Sequence, residues 1–176
     1  QKPLKINHER ACITVHYTYC CYHHKRGFLK VMSENNIDFT FVIPNTRWHR
    51  DGEGRYWNHI PYPEGILTAV LRKNGFKVNH IDANVNDYTE DELYEEVSKK
   101  AGKVVGISAL SVEYRDSVHK TFGIIKSARP YAKTVLGGVY PSISPEVAKK
   151  DENVDFIVIS EGEKRLLQLM NCLKNN

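Results

Sequence analysis

Three short stretches of this 176-residue chain bring together residue types that suit ligand binding: Ser108-Ala109-Leu110-Ser111, Gly137-Gly138-Val139-Tyr140-Pro141 and Ser160-Glu161-Gly162-Glu163. Serine hydroxyls donate or accept hydrogen bonds without filling space. Adjacent glycines remove side chains where a ligand or a second backbone must come close. The combination suits a bulky, polar, mostly uncharged ligand that lies along a rim and threads a tail between strands. It does not suit a phosphate reader. A mononucleotide site needs a glycine-rich turn running from a strand into a helix. The first strand instead ends Pro44-Asn45-Thr46-Arg47, with no G-x-G-x-x-G, no Walker lysine and no Ser/Thr-rich flavin-phosphate loop. A phosphoacceptor domain is excluded too, because that strand end carries no acids.

Each stretch follows a short apolar run, and the runs alternate with helical patterns. Phe39–Ile43 is rich in strand formers, and Phe76–Asp82 alternates apolar with polar residues. Val104–Ala109, Thr134–Leu136 and Asp155–Ile159 read as buried strands. Helices are expected over Glu64–Asn74, stopped by Gly75, and from Thr89-Glu90-Asp91-Glu92, a capping box, to Lys100, with Leu93, Tyr94 and Val97 facing in. Others are expected over Arg115–Ala128, from Pro145 to Lys150, and from Ser160 onward. Parallel strands need such crossovers. The expected fold is α/β: a doubly wound, flavodoxin-like (Rossmann-like) five-stranded parallel sheet of order 2-1-3-4-5. Ligands of open parallel sheets bind beyond the carboxyl ends of the strands, where all three stretches fall.

The bulk properties exclude more than they assign. Net charge is only +4 with no long Lys/Arg run, which gives no argument for nucleic acid. No apolar run reaches the roughly 18–20 residues of a membrane span, and no signal-peptide core is present. Cys12, Cys20, Cys21 and Cys172 make a poor disulfide framework, so reduced thiols and a cytoplasmic location are expected. Residues 1–37 read as an N-terminal extension of uncertain order, and residues 38–176 as the domain proper. The cluster His16 to His24 holds His and Cys side by side in no common zinc spacing. His80 reads as structural, His119 as an exposed helix residue and Cys172 as buried or inert. The loop Thr46 to Pro63 carries Trp48, Tyr56 and Trp57, which either flank a ligand or pin the loop.

Taken in order, these motifs resemble the cobalamin (B12)-binding domain at the N-terminus of B12-dependent radical SAM enzymes. Ser108-Ala109-Leu110 matches its S-x-L element and Gly137-Gly138 its G-G element. Ile60-Pro61-Tyr62-Pro63-Glu64-Gly65 stands in place of a P-P-x-G element, and Asp155 to Glu163 resembles the closing strand and E-G-E turn. The resemblance covers about residues 39 to 173. It implies a corrinoid over the carboxyl rim, with its nucleotide tail inserted beside the third and fourth strands. By carry-over, Ser108, Leu110 and Ser111 contact the tail, Gly137 and Gly138 make room for it, Val139 and Tyr140 border the ring, and Glu161 and Gly162 close the far side. Tyr140 departs from the His or other residue often seen after the glycines.

His-on cobalamin domains carry D-x-H-x-x-G after the first strand, and here Arg47-Trp48-His49-Arg50-Asp51-Gly52 stands there. His49 keeps the spacing of a cobalt ligand, but Arg47 replaces the aspartate that would orient its imidazole. No C-x-x-x-C-x-x-C motif occurs before Asn176. A parent enzyme of this class would also use a [4Fe-4S] cluster and S-adenosylmethionine, in a catalytic domain expected beyond this chain, for methyl transfer or a radical rearrangement. The alternative is a Rossmann-like protein-interaction domain with no bound corrinoid.

Overall fold

The computed structural model describes residues 36–48 and 60–175, and the backbone of two short strands, β1 (Cys12–Thr14) and β2 (Tyr19–Tyr22). The remaining elements are β3 (Phe39–Ile43), α1 (Tyr62–Lys73), β4 (Val78–Asp82), α2 (Glu90–Lys100), β5 (Val104–Ser108), α3 (Arg115–Ala128), β6 (Lys133–Gly137), α4 (Val139–Ile143), α5 (Pro145–Ala148), β7 (Phe156–Val158) and α6 (Gly162–Lys174). The parallel part of the sheet runs β4-β3-β5-β6-β7. Counted from Phe39, that is the expected order 2-1-3-4-5.

Two features add to the expectation. β2 pairs antiparallel with β7, and β1 pairs with β2, so among the described residues the sheet has seven strands. Strands within residues 1–37 therefore extend the edge of the domain's sheet across the expected boundary. The chain after the glycine pair also forms a one-turn helix, α4, and the helix expected from Pro145 to Lys150 ends at Ala148. The run Val139-Tyr140-Pro141-Ser142-Ile143 carries no helix signature of its own. It is held there by what its side chains bury.

Local chemistry explains the element ends. Pro63 sits in the first turn of α1, where its missing N–H costs nothing, and Gly75 ends the segment at φ +82°. Thr89 and Glu92 exchange hydrogen bonds in a capping box that starts α2. α2 buries Leu93 and Val97 as expected, but Tyr94, also expected to face in, is exposed. At the root of β6, Asp155 Oδ2 accepts from the Thr134 backbone N–H at 2.9 Å, from the Thr134 hydroxyl at 3.0 Å and from Lys126 Nζ at 2.5 Å.

Because strand side chains alternate, the sheet builds two cores. Val105, Ile107 and Leu136 face α2 and α3, against Leu93, Val97 and Phe122. Phe39, Phe41, Val104, Val135 and Val158 face α1 and α6, against Leu71, Leu166 and Met170. The second core opens into a cleft.

Candidate functional site

A cleft of about 460 Å³ opens at the carboxyl ends of β5, β6 and β7 and continues down the sheet face beneath α1 and α6. Its geometry follows from register. Ser108 pairs with Gly137 at the rim. One inward-facing step lower, Phe41, Gly106 and Val135 lie side by side across β3, β5 and β6. Such a step is about 7 Å along a strand. Polar lining gathers at the mouth, at Ser108, Ser142, Ser160, Glu161 and Glu163, whereas the depth is walled by Phe39, Phe41, Leu67, Val135, Val158 and Leu166.

The glycines divide the work. A Cβ on Gly106 would lie 2.4 Å from the Phe39 ring, so that glycine lets Phe39 cross under the sheet face. A Cβ on Gly138 would lie 2.6 Å from Ala109 O, and its φ is +96°. Gly138 therefore serves backbone approach between the two rim loops. Gly137 is different: an added Cβ meets nothing nearer than Val158 at 3.8 Å. The protein has room for a side chain there, and the space left open is cleft.

The three rim loops are tied into one surface. Ala109 N donates to Gly137 O at 2.8 Å and Tyr140 N to Ala109 O at 3.0 Å. The Ser142 hydroxyl donates to Gly138 O at 2.7 Å and accepts from Ser160 N at 2.8 Å. Ser160 takes φ +64° to present that amide.

Of the residues expected at the site, Ser108, Leu110, Gly137, Gly138, Val139, Glu161 and Gly162 line the cleft. Two do not. Ser111 turns outward to cap a 3-10 turn, its Oγ accepting from Glu113 N at 3.2 Å. Tyr140 is fully buried on the opposite side of α4. Its hydroxyl lies 2.8 Å from His119 Nε2, and His119 Nδ1 lies 2.6 Å from Asp151 Oδ2. His119, expected to be an exposed helix residue, is thus a half-buried link between α3, α4 and the turn before β7. Burial raises the Tyr140 hydroxyl above the ordinary tyrosine value. Burial also raises Asp151, but hydrogen bonds from His119 and the Asn153 amide outweigh it, and the net direction is down.

The remaining expectations divide. His49, Tyr56, Trp57 and the His16–His24 side chains lie outside the described residues. Trp48 packs against the α2/α3 core with Lys120 Nζ 5.7 Å from its ring centroid, so it pins the loop root instead of facing the cleft. Arg47 pairs with Asp87. Asp87 is lowered chiefly by the Asn45 side-chain hydrogen bond, with Arg47 adding to it. His80 lies on edge strand β4, stacked on Phe41 with Nε2 2.9 Å from Thr68 Oγ1. Burial and then Arg72 hold its imidazole below the usual value. Cys172 is exposed on α6, not buried. Among the described residues no cluster of three or more His, Cys, Asp or Glu has metal-site geometry, and no helix is long and apolar enough to cross a membrane.

Sequence reasoning did not identify Gly106, Leu67, Ser142 or Leu166 as part of the site. A glycine in the middle of the most buried strand run was the available signal for the first.

The model of the B12-binding domain family matches residues 59–170, well over half the chain. The chain belongs to the B12-binding domain family. It is 30% identical over 135 residues to the anaerobic magnesium-protoporphyrin IX monomethyl ester cyclase of Rubrivivax gelatinosus, covering 76% of this chain and 24% of that protein. It is 27% identical over 134 residues to the cytidylyl-2-hydroxyethylphosphonate methyltransferase of Streptomyces wedmorensis, covering 65% of this chain and 25% of that one. The B12-binding domain thus spans about a quarter of these curated relatives. Its fold is that of a segment of the radical S-adenosylmethionine methyltransferase TsrM from Kitasatospora setae, solved with cobalamin and a [4Fe-4S] cluster (TM-score 0.68, 19% identity, 80% of this chain and 27% of that one). It also matches the cobalamin-dependent S-adenosylmethionine radical enzyme OxsB (TM-score 0.64, 23% identity, 78% and 18%).

Proposed function

We propose that this domain binds cobalamin with the corrin ring over the carboxyl rim and the nucleotide tail in the slot beneath α1 and α6. The observation that carries the reading is Gly137. It lies at the end of a central strand, its missing side chain serves no packing need, and the space it leaves is the cleft itself. The donor set fits the group. A corrin is rimmed by carboxamides, and the mouth offers the hydroxyls of Ser108 and Ser160 and the carboxylates of Glu161 and Glu163 as partners, with Ser142 holding the rim loops in place. The tail is largely apolar at its end, as is the depth of the slot.

When bound, cobalamin supplies a cobalt centre able to carry a methyl group or support radical chemistry. The residues of this chain bind and orient it. Gly137 clears the floor, Ser108 and Ser142 mark the entry, and Ile66, Leu67 and Leu166 keep water from the slot. His49 is the residue that would hold the cobalt, though Arg47, engaged by Asp87, stands where an orienting aspartate would be. Around the mouth, Tyr62 and Ile143 are 71% and 67% exposed. We propose that this apolar collar faces the corrin and the remainder of a B12-dependent radical SAM enzyme, a methyltransferase or a rearrangement enzyme, in which [4Fe-4S] and S-adenosylmethionine sit on another domain.

The test is to incubate the purified protein with hydroxocobalamin, desalt it, and record the visible spectrum and the EPR of the reduced Co(II) form. Corrinoid eluting with folded protein supports the reading. Nitrogen hyperfine splitting that disappears in His49→Ala assigns the axial ligand to His49, and no splitting in the parent protein removes it from that role. Folded protein that retains no corrinoid overturns the cofactor reading.

A further inference from the structure

The slot carries information about which corrinoids the domain accepts. Corrinoids share the ring and differ in the base that ends the nucleotide tail: a benzimidazole, a phenol or a purine such as adenine. Benzimidazole and phenol rings are apolar over most of their edge. Adenine presents an exocyclic amine and several ring nitrogens around its edge.

Resting on the cofactor reading above, we propose that this domain selects corrinoids with an apolar lower base and discriminates against purine-tailed ones. Below the rim the described walls are Phe41, Val135 and Val158 from the sheet, and Leu67 and Leu166 from the helices. All of these are apolar. The backbone offers little more, because the parallel ladder from β3 to β7 uses the strands' N–H and C=O groups on each other. Ser108 lies at the mouth, one inward step or about 7 Å above Gly106, and the other hydroxyls and the carboxylates belong to the segments that follow β6 and β7 at that rim. A base carried past the rim thus leaves the polar partners behind. An apolar ring loses nothing by this, whereas each adenine edge group loses its water and finds no partner. The discrimination is of the kind that operates when a polar group is buried unpaired, about tenfold to a hundredfold in affinity. Phe39 and Phe41, with ring centroids 4.6 Å apart, add an aromatic wall at the inner end.

The experiment titrates the protein with cobalamin, with its adeninyl analogue (adenine in place of dimethylbenzimidazole) and with cobinamide, which has no nucleotide. The expected result is adeninyl binding about tenfold or more weaker than cobalamin, and no tighter than cobinamide. Val135→Thr and Val158→Thr each place a hydroxyl in the slot with little change of volume. In whichever of the two keeps a native circular dichroism spectrum, the cobalamin-to-adeninyl ratio should contract. Equal affinity for the two nucleotide-bearing corrinoids overturns the inference while leaving the cofactor reading standing. So does cobinamide binding as tightly as cobalamin, because the tail then does not use the slot. Failure of all three corrinoids to bind folded protein overturns both.

Discussion

Gly137→Ala separates folding from binding at one atom. The added Cβ finds Val158 at 3.8 Å, an ordinary van der Waals contact, and Gly137 does not occupy the left-handed region. The folded state therefore accepts the methyl, and the unfolded state loses the freedom of a glycine. The expected net effect is about 0.4–1 kcal/mol of added stability, or a rise of roughly 1–4 °C in Tm for a chain of this size. In the cleft the effect reverses. A tail resting on Gly137 must lift by roughly a carbon–carbon bond length, about 1.5 Å, against α1 and α6. Overfilling a packed space by a methyl costs about 1–3 kcal/mol, so cobalamin affinity should fall about 5- to 150-fold. Gly138→Ala is the counter-experiment. Its Cβ would strike Ala109 O, and its φ of +96° disfavours any side chain, so its loss should appear as unfolding, at about 1–3 kcal/mol or more. Chemical denaturation and a visible-spectrum titration read the two quantities separately. Gly137→Ala that folds normally and binds cobalamin like the parent would refute the placement of the tail. Gly137→Ala that unfolds would refute the spare room assigned to the fold.

Three other outcomes are expected. Thr89→Ala removes the capping box of α2 and should cost about 1 kcal/mol by urea denaturation without moving corrinoid affinity. Glu92 is lowered by the Thr89 backbone and side-chain hydrogen bonds, so its contribution is present above the ordinary glutamate value and lost as pH falls through the lower folded value. The variant keeps the backbone bond to Glu92 and loses only the side-chain one, so its stability should fall slightly less steeply than the parent's below about pH 5. Tyr140→Phe deletes the hydroxyl that meets His119 and should cost about 0.5–1.5 kcal/mol, measured by thermal melting, because α4 is anchored from behind by that bond. Asp155→Ala leaves Lys126 half-buried without its carboxylate and the Thr134 amide without an acceptor. It should destabilise by about 3 kcal/mol or more, and a change under 1 kcal/mol would contradict the network.

The sheet order was legible because β3, β5, β6 and β7 are buried on both faces and read as short apolar runs, while edge strand β4 reads as an alternating one, each with its crossover helix beside it. Phe39–Ile43 and Arg115–Ala128 have the bounds expected of them. The rim was legible because small residues at strand ends are expensive to explain any other way. The fate of Tyr140 was not, because a tyrosine in a rim motif reads the same whether it points to the ligand or away. The partners that turn it inward, His119 and Asp151, lie 21 residues before it and 11 after it. Ser142 was hidden likewise, since its role depends on two backbone groups brought together only by the fold. The inner slot required knowing which strand faces share a core, a fact of register and not of composition. The strands at Cys12–Thr14 and Tyr19–Tyr22 were obscured by a His/Cys-rich context that suggested metal chemistry before pairing.

The unequal filling of the two cores has a consequence for motion. On one face of the sheet, α2 and α3 close over their side chains. On the other, α1 and α6 roof a space that a ligand would complete. A tail seated there becomes interior material, and the free energy of loading is added to the stability of that layer. Amide hydrogen exchange should therefore report loading lopsidedly, with slowing along α1 and α6 and little change along α2 and α3. The domain would then carry a mechanical record of its cofactor on one side, a layer that breathes when empty and stiffens when filled.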